Sequence, residues 1–265
     1  QYKQLLMVSG FERYFQFARA LRDEDLRRDR GLEHTQIDLE MSFVTREDVM
    51  KLVEELVVSV LEKLGRKIFQ KPFPRYSYQE AMRKFGTDKF DLRNDKTSKE
   101  LAFAWVIDFP VFEKNREGKW TYSHNPFTAP RPEDEKRLLK GEIKDLISLQ
   151  YDLVCNGEEV GGGGIRINKP ELLEKVFEII GQSHKEIEEK FGHILHAFRF
   201  GIPPHGGIAL GLDRLLMILA GEEAIREVVA FPTTGDGRDP MMNTPSEVST
   251  TQLKELHIRL DVKKE

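Results

Sequence analysis

The stretch "LRDEDLRRDRGLEHTQIDLEMSF", residues Leu21–Phe43, runs from a loop dense in acidic residues and arginines into a segment of strictly alternating polarity. A period of two predicts a β-strand, about His34–Val44, with one buried face. The aromatic-rich segment Tyr14–Leu21 predicts a second strand, and two strands joined by about ten residues predict a long antiparallel hairpin. A charge run is typical of a solvated loop. Here, however, the polar face of the following strand is also acidic, at Asp38 and Glu40.

The composition is that of a globular protein. The chain has 265 residues, of which 39% are apolar, so it can bury one large core. Lys and Arg number 41 against 45 Asp and Glu, and this net charge of -4 does not favour a nucleic-acid coat, although a local basic groove remains compatible with it. Cys155 is the single cysteine, which excludes an internal disulfide and a cysteine-based zinc site. Without an apolar run near the roughly 18 residues of a membrane span, or a signal-peptide pattern, we expect a cytoplasmic, reduced protein and no membrane partner.

The rest of the chain mixes strands and helices without a regular βαβ alternation. Thr45 and Asp48 resemble a capping box, which predicts a helix that ends near Gly65. The apolar stripe predicted for that helix is Val49, Leu52, Val53, Leu56, Val57, Val60 and Leu61. Further helices are predicted at about 133–148, 170–180 and 183–198.

Strands are predicted in the apolar run "LAFAWVIDFPVF", on both sides of Asn156–Gly157, and at the start of "GGIALGLDRLLMILAG", which continues as a helix. The segments 72–98 and 115–135 are predicted as irregular, and the terminal "LKELHIRL" as a strand or tail. This order of elements predicts an α+β fold, an antiparallel sheet flanked by helices.

The segment "YDLVCNGEEVGGGGIRI" predicts a hairpin whose turn is Asn156–Gly157. That turn pairs Val154 with Glu159 and Asp152 with Gly161, so that Asp152 and Glu159 project from one face. Two facing carboxylates repel each other unless a cation lies between them, and oxygen ligands suit Mg²⁺.

The four glycines Gly161–Gly164 read by default as a flexible linker, but they also allow a ligand to approach the backbone closely. Arg166, a residue suited to bidentate carboxylate binding, follows them. Strict alternation puts Arg166 on the face opposite Glu159, so a shared site requires a bulge in the glycines. The alternative is a surface hairpin with scattered charges.

Three further residues are weak candidates when taken alone. Arg214 lies in the first turn of an apolar helix after a glycine-rich strand, where free N–H groups and a guanidinium could bind an anion. An exposed arginine on a core helix is the commoner interpretation of this position, and the same holds for Arg22 at the start of the charged loop. His124, in "SHNPFTAP", is by itself more often a loop histidine than a ligand.

Taken together, these stretches resemble a known family. "FARALRDED…HTQIDLEMSF", about residues 14–44, resembles motif 2 of class II aminoacyl-tRNA synthetases, and "GIALGLDR", within about 206–220, resembles their motif 3. "FGTDKFDLR", "HNPFTAP" and "NGEEVGGGGIRI" narrow the resemblance to bacterial-type aspartyl-tRNA synthetases. The resemblance extends from Lys3 to about Leu260. A lone "GLDR" is weak, whereas five motifs in the right order are specific.

The resemblance implies a ligase that uses ATP and Mg²⁺, with L-aspartate and the acceptor end of tRNA-Asp as its other substrates. Arg22, as a catalytic residue, would bridge the α-phosphate and the substrate carboxylate, and Arg214, the second catalytic residue, would contact the γ-phosphate. Aspartate would be bound by Lys3, Arg22, Gln36, Asp38, His124 and Arg166. ATP would be bound by Arg22, Asp23, Glu24, His34, Glu159, Gly211, Leu212, Asp213 and Arg214, with Glu24 near the adenine. Asp152 and Glu159 would hold Mg²⁺. The motif 2 loop would then face polyanions, which explains its charge.

The chain departs from the family pattern at a few positions. His34 replaces a phenylalanine that usually stacks on adenine, Gly31 replaces a glutamine, and His124–Asn125 replaces a histidine pair. We expect residues 1–265 to form one catalytic core. Motif 1 and the N-terminal anticodon-binding domain would lie before Gln1, and the domain inserted in bacterial relatives would be reduced to about 94–98. The full-length protein is expected to be a homodimer.

Two alternatives remain open. The chain could be a synthetase paralogue that activates an amino acid for an acceptor other than tRNA, or a non-catalytic regulatory relic of the fold. The charged candidates Arg22, Asp152, Glu159, Arg166 and Arg214 are all present, and a relic has no need of all five.

Overall fold

The computed structural model describes residues 1–23 and 25–261. Its largest feature is a seven-stranded sheet in which only the last two strands run parallel to each other. Across the sheet the strands are β1 (Arg13–Leu21), β2 (Glu33–Ser42), β9 (His205–Gly211), β8 (Glu158–Ile165), β7 (Gln150–Cys155), β4 (Phe103–Ile107) and β3 (Arg75–Ser77). The predicted α+β class and the β1–β2 hairpin are confirmed.

Helices cover one face of this sheet and form a second core beside it. They are α1 (Tyr2–Val8), α2 (Arg46–Lys63), α3 (Tyr78–Phe85), α4 (Glu135–Leu139), α5 (Pro170–Ile179), α6 (His184–Arg199), α7 (Leu212–Ala220) and α8 (Thr250–Glu255). The main core lies between the sheet and helices α2 and α7, and α4, α5 and α6 build the second core. No helix of the described residues is long and apolar enough to cross a bilayer.

Helix α2 begins at the predicted capping box. The Thr45 N–H donates to Asp48 Oδ2 over 2.8 Å, and the Thr45 side chain accepts from the Asp48 N–H. The apolar stripe is narrower than predicted, because burial follows an i, i+4 row. Val49, Val53, Val57 and Leu61 are buried, whereas Leu52, Leu56 and Val60 are exposed.

Four predictions of local structure were wrong. The irregular segment 72–98 contains β3 and α3, and α3 begins at a capping box of Ser77 and Glu80. The helix predicted at 133–148 ends at Leu139, because Gly141 follows with a φ of +79°. The loop 115–135 contains β6 (Trp120–Tyr122), paired with β5 (Phe112–Lys114). The first part of "LKELHIRL" belongs to helix α8 rather than to a strand.

Candidate active site

The hairpin of β7 and β8 contains the bulge that a shared site requires. Val154 pairs with Glu159 as predicted, but Leu153 pairs with Gly161, so Val160 is an extra residue on β8. Asp152 therefore pairs with Gly162, and the predicted pairing with Gly161 was wrong by one residue. An extra residue reverses which side of the strand the following side chains face. The bulge lies just before the glycines, and it brings Glu159 and Arg166 to one cavity.

Beneath this cavity runs a row of paired residues across four strands. Asp38 pairs with Ala209, Ala209 with Gly162, and Gly162 with Asp152. Paired residues share a face of the sheet, so two carboxylates flank two small residues. A cavity of about 690 Å³ lies over this row, on the face opposite to helices α2 and α7. We call it the central cavity.

At one end of the central cavity, buried ion pairs hold two cations. Arg166 Nε and Nη2 donate to the two carboxylate oxygens of Glu40 over 2.9 and 3.1 Å. Only 6% of the Arg166 side chain and none of the Glu40 side chain is exposed. Lys3 Nζ lies 2.7 Å from Asp38 Oδ1 and 3.3 Å from Glu40 Oε2. Burial raises the pKa of Glu40, but the charge and hydrogen bonds of Arg166 outweigh it and keep the pKa below its usual value.

A buried, uncharged histidine, His205, lies near the pair of Arg166 and Glu40. His205 Nδ1 lies 3.0 Å from the Pro203 carbonyl, which can only accept, so Nδ1 carries the proton. The other ring nitrogen, Nε2, then accepts from Gln4 Nε2 at 3.0 Å. Burial lowers the pKa of His205, which favours this uncharged form. Gln4 is thereby anchored, and α1 holds the neighbouring Lys3 against β2.

At the other end, the two predicted metal ligands already have partners. Asp152 accepts from Gln150 Nε2 over 2.7 Å and lies 3.3 Å from His124 Nε2, while Glu159 Oε2 lies 2.9 Å from Lys89 Nζ. Burial and the neighbouring Glu159 charge raise the pKa of Asp152, against the opposing effect of His124. Burial lowers the pKa of His124, but the hydrogen bond to Asp152 raises it overall above 6.5. Sequence reasoning missed Lys89, although it lies in the quoted "FGTDKFDLR".

Arg214 lies in the first turn of α7, as predicted, and its side chain turns back over the strands. It donates to the Glu159 carbonyl and, over 3.2 Å, to the Asp29 carboxylate. Its buried Nε has no hydrogen-bond partner among the described residues. Asp213 accepts from the Thr35 N–H over 2.8 Å, which ties the start of α7 to strand β2. Phosphate-sized anions can therefore meet a guanidinium beside a helix N-terminus here.

The central cavity brings together most of the residues predicted to bind substrates. Those that line it are Lys3, Arg22, His34, Gln36, Asp38, His124, Glu159, Arg166, Gly211, Asp213 and Arg214. Asp152 is buried beneath the lining, Asp23 is exposed, and Leu212 begins α7 without lining the cavity. Glu24 lies outside the described residues. Sequence reasoning treated Glu40 only as a polar position of β2.

The donor set near Gly162 fits a hard divalent cation that brings further ligands with it. A side chain at Gly162 would place its Cβ 3.1 Å from Asp152 Oδ1 and 3.4 Å from Glu159 Oε1, so both carboxylates reach one point. The described residues contain no group of three or more His, Cys, Asp or Glu side chains arranged around a metal position. Mg²⁺ commonly takes one or two carboxylates and completes its shell with water and substrate phosphates. Two carboxylates therefore fit Mg²⁺ together with a phosphate ligand.

Comparisons with known proteins show the family to which the chain is similar. The family model described as "tRNA synthetases class II (D, K and N)" matches residues 1–235. An aspartate–tRNA(Asp/Asn) ligase from Phenylobacterium zucineum is 36% identical over 98% of the chain and 65% of its own length. One from Rubrobacter xylanophilus is 38% identical over 98% of the chain and 64% of its length. The chain thus spans just under two thirds of these relatives.

Solved structures show the same fold. The aspartyl-tRNA synthetase of Entamoeba histolytica superposes with a TM-score of 0.69 and 22% identity, over 91% of this chain and 50% of that one. The asparaginyl-tRNA synthetase of the same organism, in complex with asparaginyl-adenylate, gives 0.66 and 22% identity, over 91% and 57%. The fold, the motifs and the family match lead to one conclusion: the chain belongs to the class II tRNA synthetases of the D, K and N group.

Proposed function

We propose that the protein activates L-aspartate with ATP to form aspartyl-adenylate and transfers the aspartyl group to the 3′ end of tRNA-Asp. The observation that carries this proposal is Arg166, a buried guanidinium held by Glu40 at one end of a cavity whose other end carries Arg214 and Glu159. A guanidinium offers only donors, which match a carboxylate rather than an amide.

The charge pattern along the central cavity supports an assignment of each substrate group to a position in it. Arg166 and Lys3 bind the side-chain carboxylate of aspartate, and His124, which pairs with Asp152 on the cavity wall, supports the pocket. Asp38 and Gln36 hold its ammonium group. Arg22 lines the cavity near the start of the motif 2 loop, where it contacts both the α-carboxylate and the α-phosphate. No protein nucleophile is needed, because the substrate carboxylate attacks the α-phosphorus and pyrophosphate leaves.

The nucleotide occupies the other end. Arg214 contacts the γ-phosphate, Gly211, Leu212 and Asp213 form the turn beneath the phosphates, and the His34 ring stacks on adenine. Asp23 and Glu24 belong to the same motif 2 loop. Asp152 and Glu159 would hold Mg²⁺, which when bound neutralises phosphate charge. The tRNA 3′-terminal hydroxyl then takes the aspartyl group.

The organisation of the whole protein is also part of the proposal. We regard residues 1–265 as one catalytic core, with residues 94–98 where bacterial relatives carry an inserted domain. Support comes from the alignment to the Phenylobacterium protein, which runs over 388 positions although the chain has 265 residues, so that relative has additional residues within the matched region. A homodimeric assembly and a cytoplasmic location remain predictions.

The test is ATP–pyrophosphate exchange dependent on the amino acid, measured with and without tRNA. Aspartate should support exchange and should then appear on tRNA-Asp, whereas asparagine and lysine, the other amino acids of the family model, should not. Exchange with aspartate but no aminoacylation would indicate an acceptor other than tRNA. No exchange with any amino acid would indicate a non-catalytic relic. The relatives' names also include tRNA-Asn, so both tRNAs are tested as acceptors.

A further inference from the structure

In the central cavity, the Lys89 ammonium is already paired with Glu159, one of the two carboxylates proposed to bind the metal. Lys89 Nζ lies 2.9 Å from Glu159 Oε2, with 34% of the Lys89 side chain and 27% of the Glu159 side chain exposed. A divalent cation that binds Glu159 must replace this ammonium or share one carboxylate with it, and like charges at such a distance repel.

The backbone that carries Lys89 is firmly held. Phe90 is buried and stacks on Phe85 with a centroid distance of 4.1 Å. The Phe90 carbonyl accepts from the Gly157 N–H over 3.1 Å, which fixes this loop to the turn between β7 and β8. Only the flexible four-carbon stem of Lys89 is therefore free to move. Its ammonium can leave Glu159 without a movement of the loop.

We infer that the Lys89 ammonium neutralises Glu159, one of the two carboxylates proposed for the metal, in the nucleotide-free protein and passes to a phosphate oxygen when nucleotide and metal enter. This inference rests on the proposed function, since it needs phosphates beside Glu159. A metal ion alone then competes with Lys89 and binds weakly. Nucleotide draws Lys89 away and strengthens metal binding, and the coupling is reciprocal.

A purely structural Lys89 would behave differently. If the ammonium only positioned Glu159, its removal would weaken metal binding or leave it unchanged, because the carboxylate would lose its orientation. Under the exchange inferred here, its removal strengthens metal binding and weakens nucleotide binding. The two effects have opposite signs, which separates them from general damage to the site.

The experiment uses Lys89→Met, which keeps the stem and removes the charge. Binding of Mn²⁺ alone is measured by electron paramagnetic resonance of the free ion, and binding of ATP is measured by calorimetry in EDTA. Lys89→Met should bind Mn²⁺ roughly 2- to 5-fold more tightly and metal-free ATP more weakly by a similar factor, the range for a partly screened ion pair. Lys89→Arg keeps the charge and should resemble the wild type. Lys119→Met is the matched control, because Lys119 also pairs with a glutamate at 3.0 Å but does not line the cavity.

Two outcomes overturn the inference in distinguishable ways. If Glu159→Gln abolishes Mn²⁺ binding but Lys89→Met leaves it unchanged or weaker, the exchange is wrong and the proposed metal site stands. If Glu159→Gln leaves Mn²⁺ binding unaffected, the ion binds elsewhere, and the metal position of the proposed function fails together with the exchange.

Discussion

The two ends of the central cavity hold their charges in different ways. At the end proposed to bind the amino acid, called the amino-acid end below, Arg166 and Glu40 are buried and joined by two hydrogen bonds of 2.9 and 3.1 Å. At the end proposed to bind the triphosphate, called the phosphate end, Glu159 and Arg214 remain partly exposed, and their partners Lys89 and Asp29 lie on loops.

The difference matches what each end is proposed to bind. An amino-acid pocket must separate aspartate from the nearly isosteric asparagine, and fixed donors achieve this because a mismatch leaves buried groups unpaired. A triphosphate carries several charges and enters with its own cation, so partners that can be exchanged suit it better. Substitutions should therefore cost stability at the amino-acid end and mainly change ligand affinity at the phosphate end.

The largest effect is expected for Arg166→Leu, which leaves Glu40 buried without its cation. The free energy of unfolding should fall by about 3–5 kcal/mol, as for a broken buried ion pair. The transition state for aspartate activation should lose several kcal/mol of stabilisation, and the transition state for asparagine activation should lose much less. Urea unfolding and pyrophosphate exchange with both amino acids measure the two effects. Lys3 is a second cation in the pocket and can reduce the loss.

The comparison with asparagine separates a specific effect on the pocket from a loss of folded protein. Unfolding lowers both activities equally, so the aspartate-to-asparagine ratio of kcat/KM reports on the pocket alone. A ratio that hardly changes would remove Arg166 from its role in specificity. The hairpin of β7 and β8, with its scattered charges, would then have only a structural role.

The same ion pair predicts a pH dependence of stability. The folded-state pKa of Glu40 lies below its usual value, so its contribution is present above the unfolded pKa and is lost as pH falls through the folded pKa. The free energy of unfolding of the wild type should therefore exceed that of Glu40→Gln by about 3–5 kcal/mol at pH 7, and this difference should shrink below about pH 4. Urea unfolding of both proteins from pH 7 to 3 measures it. A difference that is constant over this range would mean that Glu40 is not ionised in the folded protein.

Arg214→Ala should affect the phosphate end with little change in stability. Its side chain is partly exposed, and ion pairs of this kind contribute about 0.2–1 kcal/mol. The KM for ATP should rise roughly tenfold, which corresponds to about 1.4 kcal/mol, while aspartate binding changes little. Steady-state kinetics with each substrate varied in turn measure this. Unchanged ATP dependence would contradict the assignment to a phosphate.

Sequence periodicity was sufficient for the elements that frame the cavity. The alternation in β2, the Asn156–Gly157 turn and the glycine-rich strand that leads into α7 each produced the predicted element, because local pattern and tertiary burial agree there. Helix α3 carried a readable capping box in Ser77 and Glu80, but the surrounding polar segment concealed it.

The pairing partners could not be predicted from local pattern. The residues that follow the bulge at Val160 must fit β9 as well as β7. A Cβ at Gly161 would come within 2.5 Å of Leu210, so the packing of β8 against β9 requires a glycine there. The Glu40 carboxylate and the Arg166 guanidinium are 126 residues apart in the chain. Alternation placed Glu40 on the polar face of β2, but only the complete sheet shows which cation pairs with it.

The smallest effect on stability is expected where the two carboxylates proposed to hold Mg²⁺, Asp152 and Glu159, lie close together. Asp152→Asn combined with Glu159→Gln removes like-charge repulsion, which in the folded protein raises the pKa of Asp152 in addition to burial. The double variant also loses the attraction of His124 and Lys89, so the gain and the loss largely cancel. Its free energy of unfolding should lie within about 1 kcal/mol of the wild type, or slightly above it. Its response to Mg²⁺ should disappear.

Urea unfolding and a magnesium titration of pyrophosphate exchange measure the two properties on the same samples. Glu117→Gln, at an exposed ion pair that does not line the cavity, is the matched control and should keep the full magnesium response. A double variant that is several kcal/mol less stable would show that these carboxylates are fixed like those of the amino-acid end. One that retains the magnesium response would place the cation elsewhere. Only a nearly unchanged stability combined with a lost response fits a phosphate end whose partners exchange.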